Sequence, residues 1–100
     1  DTTAEQAFHR ALGNDRRHLG ALLWLTEVFF ERGAYQKSLG YARKATKVAP
    51  RSGAAHMWLG DACFRVHRYD EARREYERAQ QLDHEGAARA LQRVRSRVGD

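Results

Sequence analysis

The chain has 100 residues, of which 42% are apolar and 31% are charged, and its formal charge at neutral pH is +5. A chain of this length suits one modest domain, and a single cysteine excludes an internal disulfide. No apolar run approaches the roughly 18 residues that a membrane-spanning helix needs, so membrane insertion is not expected.

Residues with high helix propensity dominate the chain, which predicts an all-α protein of about six helices. Near the start, Thr2 and Glu5 predict a capping box, followed by a helix that ends near Asn14. Gly33 and Pro50 mark helix ends, because glycine takes the left-handed conformation and proline cannot continue a helix. The remaining helices are predicted over 22–32, from Tyr35 to near Pro50, from Ser52 or Gly53, after the turn at 67–70, and over 85–98.

Large apolar residues and small residues recur at a spacing of thirty-four residues. A fixed spacing of this kind indicates a unit of secondary structure that buries its apolar face by stacking on a copy of itself. The recurrence therefore favours a binding function over a catalytic one. The equivalent pairs are Trp24 and Trp58, Leu25 and Leu59, Phe30 and Phe64, Tyr35 and Tyr69, Ala45 and Ala79, and Val48 and Leu82.

These landmarks resemble the tetratricopeptide repeat family, whose period is thirty-four residues. The better copy carries Leu59-Gly60, then Tyr69-Asp70-Glu71-Ala72, and then Tyr76 and Ala79. The resemblance covers nearly the whole chain and implies a right-handed superhelix of antiparallel helix hairpins. It divides the single domain 1–100 into a half repeat that keeps only the second helix (1–18), two repeats (19–52 and 53–86) and a C-terminal capping helix (87–100).

Some positions depart from the pattern of the family. Leu22 and His56 stand where the family usually has tryptophan, and the two tryptophans come two residues later. Thr26 replaces the usual glycine and Ser38 the usual alanine. We expect the fold to tolerate these changes, because repeat cores accept substitutions that keep volume roughly constant.

The chain begins in the middle of a repeat and does not begin with methionine. We therefore expect a fragment of a larger protein, with an apolar face open near Phe8. A second copy of the chain could cover that face, so self-association is an alternative function. The wealth of arginine and alanine favours a bacterial source, and the single cysteine agrees with a cytoplasmic location.

In the family that the chain resembles, the first helices of successive repeats line a concave groove that holds peptides. The resemblance therefore implies a protein-interaction scaffold that binds a peptide or a helical segment of a partner protein. The last helix would add Ala88, Gln92 and Arg95. The groove positions that carry over to this sequence are Leu23, Trp24, Glu27, Phe30 and Glu31 from one helix and Met57, Trp58, Asp61, Phe64 and Arg65 from the next.

Acidic side chains in the predicted groove bear on the choice of ligand. Glu27 and Asp61 have no apolar role and favour a basic or amphipathic ligand over an acidic tail. Some repeats of this family clamp the acidic C-termini of heat-shock chaperones with Lys, Asn and Arg. The matching positions here hold Leu23, Trp24, Glu27, Ala54 and Trp58, so such a clamp is not expected.

Arginines of the last helix form a second candidate surface. Arg89, Arg93 and Arg97 follow one another at a spacing of four residues and could meet an acidic partner or nucleic acid. No aromatic residues alternate with them, as single-stranded nucleic-acid binders usually require. Nucleic-acid binding is therefore the less favoured reading.

Catalytic and metal-binding patterns are missing from the sequence. The five histidines have no partner at ligand spacing, and the glycines form no phosphate-binding loop. Cys63 occupies an inward position, which predicts an inert thiol rather than a nucleophile. We expect no enzyme activity, no cofactor and no metal site.

Overall fold

The computed structural model describes residues 19–98, and this part of the chain contains helices and no strand. The prediction of an all-α fold built from helix hairpins is confirmed. The helix expected after Thr2, the half repeat 1–18 and the open face near Phe8 lie outside the described residues. The five described helices are α1 (Leu19–Glu31), α2 (Tyr35–Val48), α3 (Gly53–Arg65), α4 (Tyr69–Gln81) and α5 (Ala87–Val98).

Two hairpin turns end their first helices in the same way. Gly33 has a φ of 78°, and the next amide, of Ala34, donates to the carbonyl of Phe29 at 2.9 Å. Thirty-four residues later, His67 adopts a φ of 66°, and the following amide again bonds five residues back. The repeated hydrogen bond satisfies carbonyls that the helix end leaves free. His67 therefore adopts a conformation that favours glycine.

Other helix starts follow from local chemistry. The side chain of Ser52 accepts a hydrogen bond from the amide of Ala55 at 3.1 Å and caps α3. Gly86 has a φ of 88°, so α5 begins at Ala87, two residues after the start of the helix predicted over 85–98 and at the start of the capping segment 87–100.

Each helix packs on the next along the chain, and α1 also contacts α3. This arrangement places α1, α3 and α5 in one layer and α2 and α4 in the other. Arg43 of α2 donates two hydrogen bonds to the carboxylate of Glu71 in α4, at 2.5 and 2.9 Å. The bidentate pair joins the two hairpins on the layer formed by α2 and α4.

The core is built from the small and large apolar residues that the repeat predicts. One cluster of the core lies among α1, α2 and the start of α3, and the other lies among α2, α3, α4 and α5. The last residues of two predicted helices, 22–32 and 85–98, do not continue the buried faces: Arg32 is exposed and Val98 is 39% exposed. On α5 the buried stripe passes through Ala90 and turns Val98 outward.

The two hairpins differ in the residues at the point where their two helices lie closest. In the second, a β-carbon on Gly60 would lie 2.6 Å from Cε1 of Tyr76, so the ring of Tyr76 uses the space that glycine leaves. In the first, the equivalent glycine position holds Thr26, whose hydroxyl donates to Leu22 O at 2.8 Å. The hydroxyl of Ser38 donates to Thr26 O at 2.8 Å and links α2 to α1. Both buried hydroxyls are therefore satisfied.

Candidate functional site

A cleft of about 370 Å³ opens on the face formed by α1, α3 and α5. We call it the central cleft. It lies towards the C-terminal ends of α1 and α3, with Tyr76 of α4 beneath it. The residues that line the central cleft are Phe30, Asp61, Phe64, Arg65, Tyr76 and Arg93.

Aromatic pairs recur along this face with the period of the repeat. The rings of Phe30 and Tyr35 meet edge to face with centroids 5.2 Å apart, and those of Phe64 and Tyr69 do the same at 5.4 Å. Trp58 also meets Phe30 edge to face at 5.5 Å, which joins α3 to α1. These contacts hold both phenylalanines in fixed positions while leaving each partly exposed.

Arginine side chains lie over the same aromatic rings. The guanidinium of Arg65 is 5.6 Å from the ring centroids of both Phe30 and Tyr35. From α5, Arg93 and Arg97 lie 5.4 and 5.7 Å from the centroid of Phe64. Attraction between a guanidinium and a ring face is stabilising at these distances. The central cleft is therefore bordered by aromatic rings with positively charged guanidinium groups over them.

In the part of the chain that the structure describes, Asp61 is the one carboxylate that lines the central cleft, and protein groups already engage it. Tyr76 donates its hydroxyl hydrogen to Asp61 Oδ1, and Nη2 of Arg93 lies 3.8 Å from the same oxygen. Burial raises the pKa of Asp61, while the Tyr76 hydrogen bond and the charges of Arg93 and Arg65 act in the opposite direction. Asp61 is therefore a less available acidic group for a ligand than the sequence suggests.

The residues predicted for the groove fall into three groups by exposure. Trp24, Glu27, Glu31 and Arg65 are exposed, and Trp24 is 38% accessible. Leu23, Met57 and Trp58 are half-buried because they pack against the core clusters. The central cleft brings together the predicted residues Phe30, Asp61, Phe64 and Arg65.

One residue of the predicted arginine surface, Arg93, lies together with the predicted groove residues. Arg93 lines the central cleft and lies over Phe64. Arg97 also lies over Phe64 but does not line the cleft, and Arg89 is exposed and takes no part in it. Ala88, Gln92 and Arg95 are exposed and do not line the cleft. Ala90 is the sequence feature that could have indicated the position of Arg93. A buried stripe through Ala90 and Val94 turns Arg93 and Arg97 towards α3.

Tyr76 also lines the central cleft, although the sequence indicates it only as a landmark of the repeat. Its ring is fully buried, but its hydroxyl reaches the carboxylate of Asp61. A tyrosine at a buried position generally needs a partner for its hydroxyl. The sequence therefore indicates a polar partner for the Tyr76 hydroxyl but does not identify which residue supplies it.

Cys63 is fully buried, and burial together with the nearby Glu71 raises its pKa to about 12. Because the raised pKa keeps the thiol protonated at neutral pH, we expect no reaction with an aromatic disulfide reagent in the folded protein. The thiol should react fully once the chain is unfolded in guanidinium chloride. Absorbance of the released aromatic thiol measures this, and prompt full labelling of the folded protein would contradict the assignment.

His56 and His67 contact neighbouring protein groups. His56 lies between Glu75 Oε1, at 2.6 Å from Nδ1, and the carbonyl of Pro50, at 2.8 Å from Nε2. His67 Nδ1 is 2.6 Å from the hydroxyl of Tyr69. Within residues 19–98, no group of three or more His, Cys, Asp or Glu side chains could hold a metal ion. The same residues contain no helix with the length and apolarity to cross a bilayer.

One solved structure with the same fold is described as the first TPR of Spaghetti (RPAP3) bound to HSP90 peptide SRMEEVD. It is 15% identical to this chain, with a TM-score of 0.87, and the match covers 95% of this chain and 77% of that one. This likeness shows the fold. No curated protein matches the chain significantly.

A family model described as anaphase-promoting complex, cyclosome, subunit 3 matches residues 2–79. The match includes α1, α2, α3 and most of α4. The chain therefore belongs to this family of tetratricopeptide-like repeats.

Proposed function

We propose that the chain is a non-enzymatic interaction module whose α1, α3 and α5 face binds a peptide or helical segment of a partner protein. The observation that carries this proposal is the central cleft, where Phe30 and Phe64 remain partly exposed between arginines. Aromatic and arginine side chains supply much of the binding energy in protein interfaces. The peptide bound by the structural neighbour supports the proposal by analogy of fold.

Several contacts make this face ready for a ligand before it binds. Phe30 is held by Tyr35 and Trp58, and Phe64 is held by Tyr69. Side chains fixed in this way lose little conformational entropy on binding. Trp24 of α1 adds an exposed indole to the same helix layer.

Substitution of Phe64 tests the proposal. Immobilised wild-type protein should capture a partner from the native organism. Phe64→Ala should lower the affinity for that partner by roughly tenfold or more, because it removes an aromatic side chain from the centre of the interface. Phe64→Leu, which keeps an apolar side chain against the core, should give a smaller loss. Titration calorimetry with the purified partner measures both affinities.

Arg74 provides the matched control, because it is exposed on α4 in the other layer. Arg74→Gln should leave the affinity unchanged. The proposal fails if Arg74→Gln weakens binding while Phe64→Ala and Phe64→Leu, shown by circular dichroism to be folded, bind as the wild type does.

A further inference from the structure

Building on the proposed function, we propose that the central cleft receives an acidic side chain of the partner segment between Arg65 and Arg93. A neighbouring apolar side chain of the same segment would lie on Phe30 and Phe64. The ligand would therefore be acidic at this point, whereas the sequence alone favours a basic or amphipathic ligand. It rests on the charges, rings and hydrogen bonds of the cleft.

Charge is unequal among the groups that line the central cleft. Among the lining residues that fall within 19–98, the guanidinium groups of Arg65 and Arg93 face one carboxylate, that of Asp61. Arg97 adds a further positive charge over the ring of Phe64. Complementary charge at a partly enclosed site selects the sign of the ligand. The excess of positive charge therefore favours an acidic side chain.

Asp61 does not use up the donors of the arginines. Arg93 Nη2 lies 3.8 Å from Asp61 Oδ1, which is an ion pair but exceeds hydrogen-bond distance. A guanidinium carries five N–H donors, and it can bind a carboxylate with two of them at once. An incoming carboxylate can therefore form shorter contacts with Arg93 than Asp61 does.

The aromatic rings position the arginines in advance. Arg65 lies over Phe30 and Tyr35, and Arg93 lies over Phe64, each at 5.4 to 5.6 Å from the ring centroids. A planar guanidinium beside a ring is limited in its movement, so less entropy is lost when it binds a carboxylate. The same rings offer apolar surface next to the charge. The site thus fits an acidic residue that has an apolar neighbour.

This site differs from a clamp for a chain terminus. The positions that would form such a clamp hold Leu23, Trp24, Glu27, Ala54 and Trp58, none of which is a cation. The arginines of the central cleft lie instead at the end of α3 and on α5. We therefore assign the cleft to a side-chain carboxylate within the bound segment.

Three synthetic peptides test the sign of the charge. Each is acetylated and amidated, so that no terminal charge remains, and each carries leucines around one variable residue, which is Glu, Gln or Lys. Fluorescence anisotropy measures the dissociation constants. We expect the Glu peptide to bind about three- to tenfold more tightly than the Gln peptide, and the Lys peptide to bind most weakly.

Variants of the cleft assign the effect to named groups. Arg65→Gln and Arg93→Gln should each reduce the preference for Glu over Gln, and Arg74→Gln should leave it unchanged. Asp61→Asn should increase the preference, because it removes the carboxylate that competes for Arg93 while keeping an acceptor for Tyr76. Thermal melts confirm that each variant is folded.

The outcomes separate the charge inference from the proposed function. Equal binding of the three peptides, or tighter binding of the Lys peptide, overturns the inference. If Phe64→Ala weakens all of them in that case, the proposed binding face stands. If none of the peptides binds, the inference is overturned and the partner-capture experiment with Phe64→Ala decides the proposed function.

Discussion

Replacing Tyr76 with alanine is expected to lower the free energy of unfolding by about 3–5 kcal/mol, the range for losing a buried aromatic ring. Tyr76 is the largest fully buried side chain among residues 19–98, and its ring fills the space beside Gly60. Its core cluster includes residues of α2, α3, α4 and α5. A domain of this size is stable by about 5–15 kcal/mol, so the loss is a large share of the total.

Chemical denaturation followed by circular dichroism measures this loss. Tyr76→Phe is the matched control, since it keeps the ring and removes only the hydroxyl that donates to Asp61. It should cost about 1–2 kcal/mol, because it removes one hydrogen bond to a partly buried carboxylate. A loss under about 1 kcal/mol for Tyr76→Ala would show that the ring is not a central part of the core.

Gly60→Ala is expected to destabilise the protein by about 1–3 kcal/mol, the usual cost of overpacking a core. The added β-carbon would lie 2.6 Å from Cε1 and 2.7 Å from Cδ1 of Tyr76. The ring cannot easily move away, because it is fully buried and its hydroxyl is bonded to Asp61. Alanine has a higher helix propensity by about 0.8–1.0 kcal/mol, which only partly offsets the clash.

Gly40 supplies a control of the same chemistry with the opposite expected sign. It lies on the exposed side of α2, and nothing is within 4 Å of the position of an added β-carbon. Gly40→Ala should therefore raise the free energy of unfolding by about 0.5–1 kcal/mol. Thermal melts of both variants suffice, because 1 kcal/mol shifts the melting temperature of such a domain by about 4–8 °C. Equal stabilisation by the two substitutions would contradict the close contact at Gly60.

The thirty-four-residue spacing, together with helix propensity and the helix ends at Gly33 and Pro50, was enough to predict the helices of residues 19–98 and most of their buried faces. It works because each repeat presents the same small and large residues to its neighbour. The aromatic pairs of Phe30 with Tyr35 and of Phe64 with Tyr69 show that spacing directly. The turns follow it too, since Gly33 and His67 take the same conformation.

The central cleft was less predictable because it depends on contacts between helices far apart in the sequence. The repeat places Asp61 on the binding face but does not show that Tyr76 and Arg93 engage its carboxylate. The spacing of the arginines on α5 likewise leaves the rotation of that helix undecided. The rotation of α5 is set by Ala90, the small residue that packs against the preceding hairpin.

Site-directed photo-cross-linking of the captured partner tests the binding face most directly. A photoreactive amino acid replaces Trp24 or Arg97 on the α1, α3 and α5 face, or Arg74 or Gln80 on α4, all of which are exposed. If this face binds the partner, the first two positions should cross-link to one short segment of the partner and the last two should not. Cross-links from Arg74 and Gln80, with none from Trp24 and Arg97, would place the interaction on the opposite layer and contradict the proposed function.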